Sequence, residues 1–155
     1  MNIKEQLDMQ GHIFLQLHDQ KDDLAREVRA KNSIVQSGRD LVAKLFINET
    51  ITPVSHLAIG TGNTAVAPGD TALGTELFRK AINPVDPTID LTVTTDNKIR
   101  VRLTAELDFN EGNGNLTEAG LFNDATAGVM YNRVVFPSVQ KTTDFRLTFV
   151  WEILF

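Results

Sequence analysis

The segment Lys98–Phe109, KIRVRLTAELDF, decides how this chain is read. Ile99, Val101, Leu103, Ala105, Leu107 and Phe109 alternate with Lys98, Arg100, Arg102, Thr104, Glu106 and Asp108. A period of two gives an extended strand one apolar and one polar face, a pattern a helix cannot reproduce. A strand of this length would span roughly 40 Å, long for a globular protein. Upstream, Ile89, Leu91 and Val93 alternate with Asp90, Thr92 and Thr94 and predict a shorter strand, turned by Thr95-Asp96-Asn97. Downstream, residues 110–115 read as a loop, Leu116–Phe122 as a strand, Asn123–Gly128 as a turn and Val129–Phe136 as a further strand. Pro137–Thr143 is expected to be a loop before the last strand, Asp144–Phe155. In that strand Phe145, Leu147, Phe149, Trp151, Ile153 and Phe155 share one face, while the other carries Val150 and Leu154 among polar residues.

The first half of the chain differs. Ser33–Asn48 has helical spacing, with Ile34, Val35, Gly38, Leu41, Val42, Leu45 and Phe46 on one face. Asn32 or Ser33 is the expected N-cap, and Asn48 followed by Pro53 the expected stop. Residues 12–30 admit two readings. Ile13, Leu15 and Leu17 alternate with polar residues, Asp19–Asp23 is turn-like, and Leu24–Ala30 can return as a second strand; the Glu, Arg, Leu and Ala content also permits one helix. Residues 1–10 are polar and read as an N-terminal arm, leaving 11–155 as a single domain. Strands with short polar connections, and no strand–helix alternation, predict a mainly β (α+β) fold. The expected architecture is an antiparallel β-sandwich or curved meander, the meander covering about 86–155, with one amphipathic helix packed on it.

Composition narrows the function. The 155 residues are 42% hydrophobic and 23% charged, enough to bury a core. A net charge of −5 argues against nucleic acid as the main partner. There is no cysteine, and hence neither a disulfide framework nor thiolate chemistry. No apolar run approaches the roughly 18 residues of a membrane span, so no membrane partner is expected. The polar start lacks a signal-peptide core, which predicts synthesis in a cytoplasm.

The segment His56–Lys80, HLAIGTGNTAVAPGDTALGTELFRK, is where a ligand would be sought. It opens as a strand and passes into Gly60-Thr61-Gly62, the kind of element that cradles phosphate. A P-loop ends in Gly-Lys-Ser/Thr, yet no Lys or Arg lies between Thr50 and Phe78. The third glycine of a dinucleotide fingerprint is replaced by Ala65, and Pro68-Gly69 interrupts the long helix it requires. Gly60 and Gly62 therefore read as structural turn residues that allow close backbone packing, Asp70 as the cap of a short helical turn, and Gly120 as a further structural turn position. His12 and His18 lie six residues apart, roughly 20 Å on a strand, too far for joint metal ligation. Glu106, Asp108, Glu111 and Glu118 could offer a carboxylate pair of the kind glycosidases use, but nothing singles out two of them. No catalytic residue, cofactor or metal is expected. The better-supported surface is the last strand, where Val150, Leu154 and Phe155 would be covered by a partner subunit or by the helix.

Several segments, taken together, resemble structural proteins of tailed bacteriophages of the tail, fibre, baseplate-associated or neck class. They are GHIFLQLHD (11–19), NSIVQSGRDLVAKLF (32–46), the segment 56–80, and LTEAGLFNDATAGVMYNRVVFPSVQKTTDFRLTFVWEILF (116–155). The most specific pieces are Ala58–Gly62 with Asp70-Thr71-Ala72-Leu73 downstream, and Glu118–Phe122 followed by Phe136-Pro137. Arg79 fits the arginine that follows the Thr-Ala-Leu element, and Asn123–Gly128 is a slightly longer version of the turn after Leu-Phe. The resemblance implies a non-enzymatic virion component that forms a homo-oligomer (ring, trimer or sleeve) and docks onto other virion proteins. It also favours the hairpin over residues 12–30. Three other roles fit a sandwich: a carbohydrate-binding module using Trp151 and Tyr131, a capsid-decorating protein, and a hydrolase using Glu106 or Glu118.

Overall fold

The computed structural model describes residues 9–155. Strands hold 50% of the chain and helices 11%, so the fold is mainly β. The elements in order are β1 (Gln10–His18), β2 (Leu24–Ile34), α1 (Gln36–Lys44) running into a 3-10 turn (Leu45–Ile47), β3 (His56–Gly60), β4 (Glu76–Ala81), the one-turn α2 (Pro87–Asp90), β5 (Leu91–Val93), β6 (Ile99–Leu107), β7 (Gly114–Phe122), β8 (Met130–Lys141) and β9 (Arg146–Leu154). Apart from Met9 and Gln10, the expected N-terminal arm lies outside the described residues.

All nine strands belong to one antiparallel sheet of order β4-β3-β7-β8-β2-β1-β9-β6-β5. The halves meet through a short junction, Ser33 and Ile34 of β2 against Arg133 and Asn132 of β8. The sheet curls there, and the apolar faces of both halves close on one core containing Ile13, Leu15, Leu57, Leu121, Phe149 and Trp151. The region 86–155 is not a simple meander: β5–β6 and β7–β8 are hairpins in opposite halves, and the chain crosses between halves before β7 and before β9. Crossing buries apolar faces on both sides of one core, which a meander of neighbours would leave open.

Residues 10–34 form a hairpin, and the helical alternative is overturned. Ile13, Leu15 and Leu17 all point into the core, while Asp22 takes a left-handed φ of 67° in the turn. The Asp19 carboxylate accepts the amides of Lys21 and Asp23, which stabilises that turn locally.

The helix is shorter than its sequence pattern. Asn32 and Ser33 belong to β2, and Val35 occupies the N-cap position without a side-chain cap. Pairing with β1 and β8 recruits residues whose spacing also suits a helix, because hydrogen bonds in a sheet outweigh weak helix propensity. Asn48 stops the helical stretch with a φ of 59°. Leu41 and Gly38 are buried, but Leu45 and Phe46 stand 63% and 85% exposed, against the expected face. The 3-10 turn has three residues per turn, so it rotates them out of phase with α1.

Two further expectations are corrected. The strand expected at Ile89 begins at Leu91, because Asp86 caps α2 by accepting the Thr88 amide and Pro87 suits a helix start. The loop expected at Pro137–Thr143 is largely strand: β8 continues to Lys141 across a bulge, since Leu116 pairs with Val139 but Glu118 with Val135. Pro137 sits in that bulge, where a missing N–H costs no ladder bond. Lys141 is buried, and its ammonium donates to the Asp108 carbonyl at 2.8 Å and to Asn113 Oδ1 at 2.9 Å, closing the 108–113 loop.

Phe149 is 1% exposed and lies between β1 and β6. Phe149→Ala should therefore lower the unfolding free energy by about 3–5 kcal/mol in urea titrations, with the antiparallel circular dichroism signal retained.

Candidate functional site

β3, β7 and β8 are central strands, and their outer faces would meet water unless covered. The cover is the segment 61–75. Leu73 packs with Ala58, Phe122, Met130 and Val35 in a second, smaller core, and Val66 packs against it. Burying a leucine and much of a valine contributes roughly 1.5–3 kcal/mol each at most, modest for a loop of this length. The rest comes from charge.

Glu118, on the covered face of β7, is 0% exposed. Its carboxylate accepts the amides of Gly62 (2.9 Å), Thr75 (2.7 Å) and Gly74 (2.9 Å). Arg133, beside it on β8 and 2% exposed, donates Nε (2.9 Å) and Nη2 (2.8 Å) to Glu118 Oε2. Its remaining nitrogen, Nη1, donates to Asp70 Oδ2 at 2.9 Å, and the same oxygen accepts the Ala67 amide. The Thr117 hydroxyl donates to the Gly62 carbonyl at 2.8 Å, and the Gln36 amide opening α1 donates to the Pro68 carbonyl at 2.8 Å. Loop, sheet and helix are thereby joined around one buried ion pair.

Burial pushes the Glu118 carboxyl up, but the amides of Thr75, Gly74 and Gly62 and the Arg133 guanidinium outweigh it and hold the group below its ordinary 4.5. The Ala67 amide, then Arg133, hold Asp70 below 3.8 despite its partial burial. Burial pulls Arg133 down, and Glu118 and Asp70 more than restore it.

The arrangement is an anion nest already filled by the protein's own carboxylate. Of the Gly60-Thr61-Gly62 amides that looked like a phosphate cradle, that of Gly62 points at Glu118, where it is joined by those of Gly74 and Thr75, while the Thr61 amide donates to the Thr75 carbonyl. A Cβ on Gly60 would lie 2.3 Å from the Thr75 carbonyl oxygen, and one on Gly62 would lie 2.4 Å from Glu118 Oε1. Gly120 is similarly tight, 2.9 Å from the Asn132 carbonyl oxygen. Asp70 caps no helix, because the residues after it are irregular; it closes the 67–70 turn and pairs with Arg133 instead. Arg79 lies on the same side of the sheet. Its guanidinium stacks 3.8 Å from the Phe122 ring centroid and donates to the carbonyls of Asp124 and Ala127, fixing the 123–128 turn.

The other candidates do not converge. His12 and His18 project from β1, whereas His56 is on β3 beside the Ser55 hydroxyl. Among the described residues no group of three or more His, Cys, Asp or Glu could hold a metal. Glu106 pairs with Arg146 on the half-sheet that does not contain Glu118. Trp151 and Tyr131 are 1% and 3% exposed, inside the core and not on a surface platform.

Val150 and Leu154 are half-buried on the outer face of β9, a strand flanked by β1 and β6. Val150 lies opposite Phe14 and Thr104. The helix does not supply their cover: α1 shares a groove with Ile153 and Phe155, whose side chains leave β9 on the other face. Phe155 is 39% exposed, with its backbone paired to Ile99.

The sequence pattern marked Gly60, Gly62 and Asp70 but not the groups they serve. In the sequence Glu118 is one of several strand carboxylates, and no local pattern marks Arg133. The available signal was a pair of opposite charges in two mostly apolar strands, Glu118 before Ala119-Gly120-Leu121-Phe122 and Arg133 before Val134-Val135-Phe136.

No family model matches the chain, and comparison with curated proteins and with solved structures finds no match.

Removing one member of the buried pair strands the other. Glu118→Gln and Arg133→Met should each cost about 3–5 kcal/mol, while the two combined should cost clearly less than the sum in a double-mutant cycle. Gly62→Val should cost at least about 1–3 kcal/mol by overpacking and expose the 61–75 loop to protease. Glu118 and Asp70 are depressed in the folded state, so their stabilisation is present above the ordinary values of 4.5 and 3.8 and is lost as pH falls through the lower folded values. Urea unfolding between pH 6 and pH 2.5 should show this acid loss, and Glu118→Gln should flatten it.

Proposed function

We propose that this chain is a non-enzymatic structural component of a bacteriophage virion, which oligomerises with itself and docks onto neighbouring tail, neck or fibre proteins. The observation that carries this reading is what the resemblance motifs do. Ala58–Gly62, Asp70–Leu73, Arg79, Glu118–Phe122 and the 123–128 turn all meet on one side of the sheet, and their polar groups are directed at one another. Glu118 accepts five bonds from the protein itself, leaving its carboxylate no capacity for proton transfer to a substrate. Motifs that serve packing and loop closure suit a part whose task is to hold shape.

Exposed apolar side chains supply the second support. Leu45, Phe46 and Ile47 are adjacent and are 63%, 85% and 68% exposed. Contiguous apolar surface of this kind marks a contact face. The burial of Trp151 and Tyr131 weighs against the glycan-binding alternative, which needs an accessible ring.

Light scattering on the purified protein should give a mass that is a multiple of the 17.2 kDa chain at micromolar concentration. Antibody labelling of intact phage particles that encode the chain should place it at a repeated position on the virion in electron micrographs. A monomer at high concentration and particles without label would overturn the reading.

A further inference from the structure

The outer face of the half-sheet β2-β1-β9-β6 is laid out by strand register. Along β1 and β9 buried residues alternate with half-buried ones, so pairing sets the half-buried ones in rows on one side. One row is Lys31, His12, Glu152 and Arg102. The next is Arg29, Phe14, Val150 and Thr104, and the third is Glu27, Gln16, Thr148 and Glu106. Contacts confirm that these side chains share a side: Arg29 lies 5.2 Å from the Phe14 ring centroid, Gln16 donates to Glu27, and Thr148 donates to Glu106. The covering segments serve other faces: residues 61–75 lie over β3, β7 and β8, and α1 meets the inward side of β9.

The charges on this face are ordered. The first row is basic at both ends (Lys31, Arg102), the third is acidic at both ends (Glu27, Glu106), and Phe14 and Val150 lie between them at the centre. Turn a second copy over an axis that runs across the strands along the middle row. Lys31 then faces the partner's Glu27, Arg102 the partner's Glu106, His12 the partner's Gln16 and Glu152 the partner's Thr148, while Phe14 and Val150 each face their own counterpart. Arg29 also faces itself, but its charge is held by Glu27 at 2.6 Å. An axis along the strands does the opposite, setting Lys31 against Arg102 and Glu27 against Glu106. Charge therefore selects one orientation. Lys31 is exposed and makes no ion pair among the described residues, and a groove of about 350 Å³ opens beside it, lined in part by His12, Phe14 and Arg29. Strands of nine residues or more, about 4.8 Å apart, give the face a projected area of roughly 600 Å². Side-chain relief raises the accessible area towards the roughly 800 Å² per partner of a standard interface.

We propose that the outer face of β2-β1-β9-β6 packs on the same face of a second copy across a two-fold axis, with Glu27 of each copy meeting Lys31 and its groove on the other. A patch that matches itself under rotation is the requirement for an isologous interface. Two sheets stacked this way pack about 10 Å apart with strands within about 30° of alignment, which long side chains such as Lys, Arg and Glu can span. The contact covers Val150 and Phe14, the apolar outward residues at the middle of β9 and β1. The proposal rests on the homo-oligomer reading above and adds its location and symmetry.

The test uses the full chain. Lys31→Glu alone and Glu27→Lys alone each set like charges opposite one another twice per dimer, and each should raise the dimer dissociation constant in sedimentation equilibrium by at least about 10-fold. The first variant carries only carboxylates at these two positions and the second only ammonium groups. An equimolar mixture should therefore restore the dimer at concentrations where each variant alone is monomeric. Thermal unfolding of each variant should stay close to that of the wild type, since both side chains project outward. Arg102→Glu and Glu106→Arg, alone and mixed, give the same readout from the other end of the rows and serve where a variant at 27 or 31 fails to fold. Single variants that associate like the wild type, mixtures that stay monomeric, or a trimer as the sole state overturn this contact and leave the homo-oligomer reading standing. A monomeric wild type overturns both.

Discussion

A carboxylate taken out of water keeps its charge only if fixed donors replace the lost hydration, and Glu118 has five of them. Three are backbone amides of residues 62–75 and two come from Arg133, which in turn holds Asp70. The requirement runs both ways. The carboxylate needs the loop to stay in place, and the loop has few other reasons to stay: it contains no regular secondary structure and buries few apolar side chains. Covering β3, β7 and β8 thus depends on one ion pair, and the covered strands can be apolar on both faces because of it. A hydrophobic pair of similar volume could fill the same space, but would leave the amides of Gly62, Gly74 and Thr75 without acceptors.

The same constraint orders the neighbouring elements. The Pro68 carbonyl accepts the first amide of α1, so the loop helps set where the helix starts. The helix then lies over β8, with Gly38 against the Tyr131 backbone; a Cβ there would meet the Tyr131 carbonyl oxygen at 1.9 Å. This close approach carries the chain out into the 3-10 turn, whose apolar residues stand in solvent. The loop over the buried pair and the start of α1 are thus joined by a backbone hydrogen bond. Lys141 plays a related part at the far end of β8, where burial lowers its ammonium and the charges of Asp108 and Glu111 oppose that.

Much of the fold was legible from residue pattern. The alternations at 12–18, 98–109 and 144–155 contain strands, at Gln10–His18, Ile99–Leu107 and Arg146–Leu154, and most of their inward residues are core, although Ile99 and Phe155 at the ends stay exposed. The errors have physical causes. Asn32 and Ser33 suit a helix cap, but strand pairing claimed them. Pro137 reads as a loop residue, yet a bulge accommodates it. Leu45 and Phe46 fit the helical face, but the change from α to 3-10 turned them outward. At the loop, the small residues of 60–75 announced close packing without announcing what they packed against. Glu118 lies 43 or more residues from the loop amides it accepts and 15 from Arg133, separations at which local pattern carries no information about contact.

By itself, then, the sequence determined the class of structure: periodicity two forces antiparallel strands, glycines and short polar segments force turns, and the absence of cysteine and of a lysine in the 56–77 segment removes whole chemistries. Tertiary structure alone decided which strands are neighbours, that the last strand is central in the sheet, and that Glu118 neutralises the glycine-rich loop from within. The reason is that period and propensity are properties of adjacent residues, whereas strand order and the burial of a charge depend on donors and apolar faces contributed from distant parts of the chain.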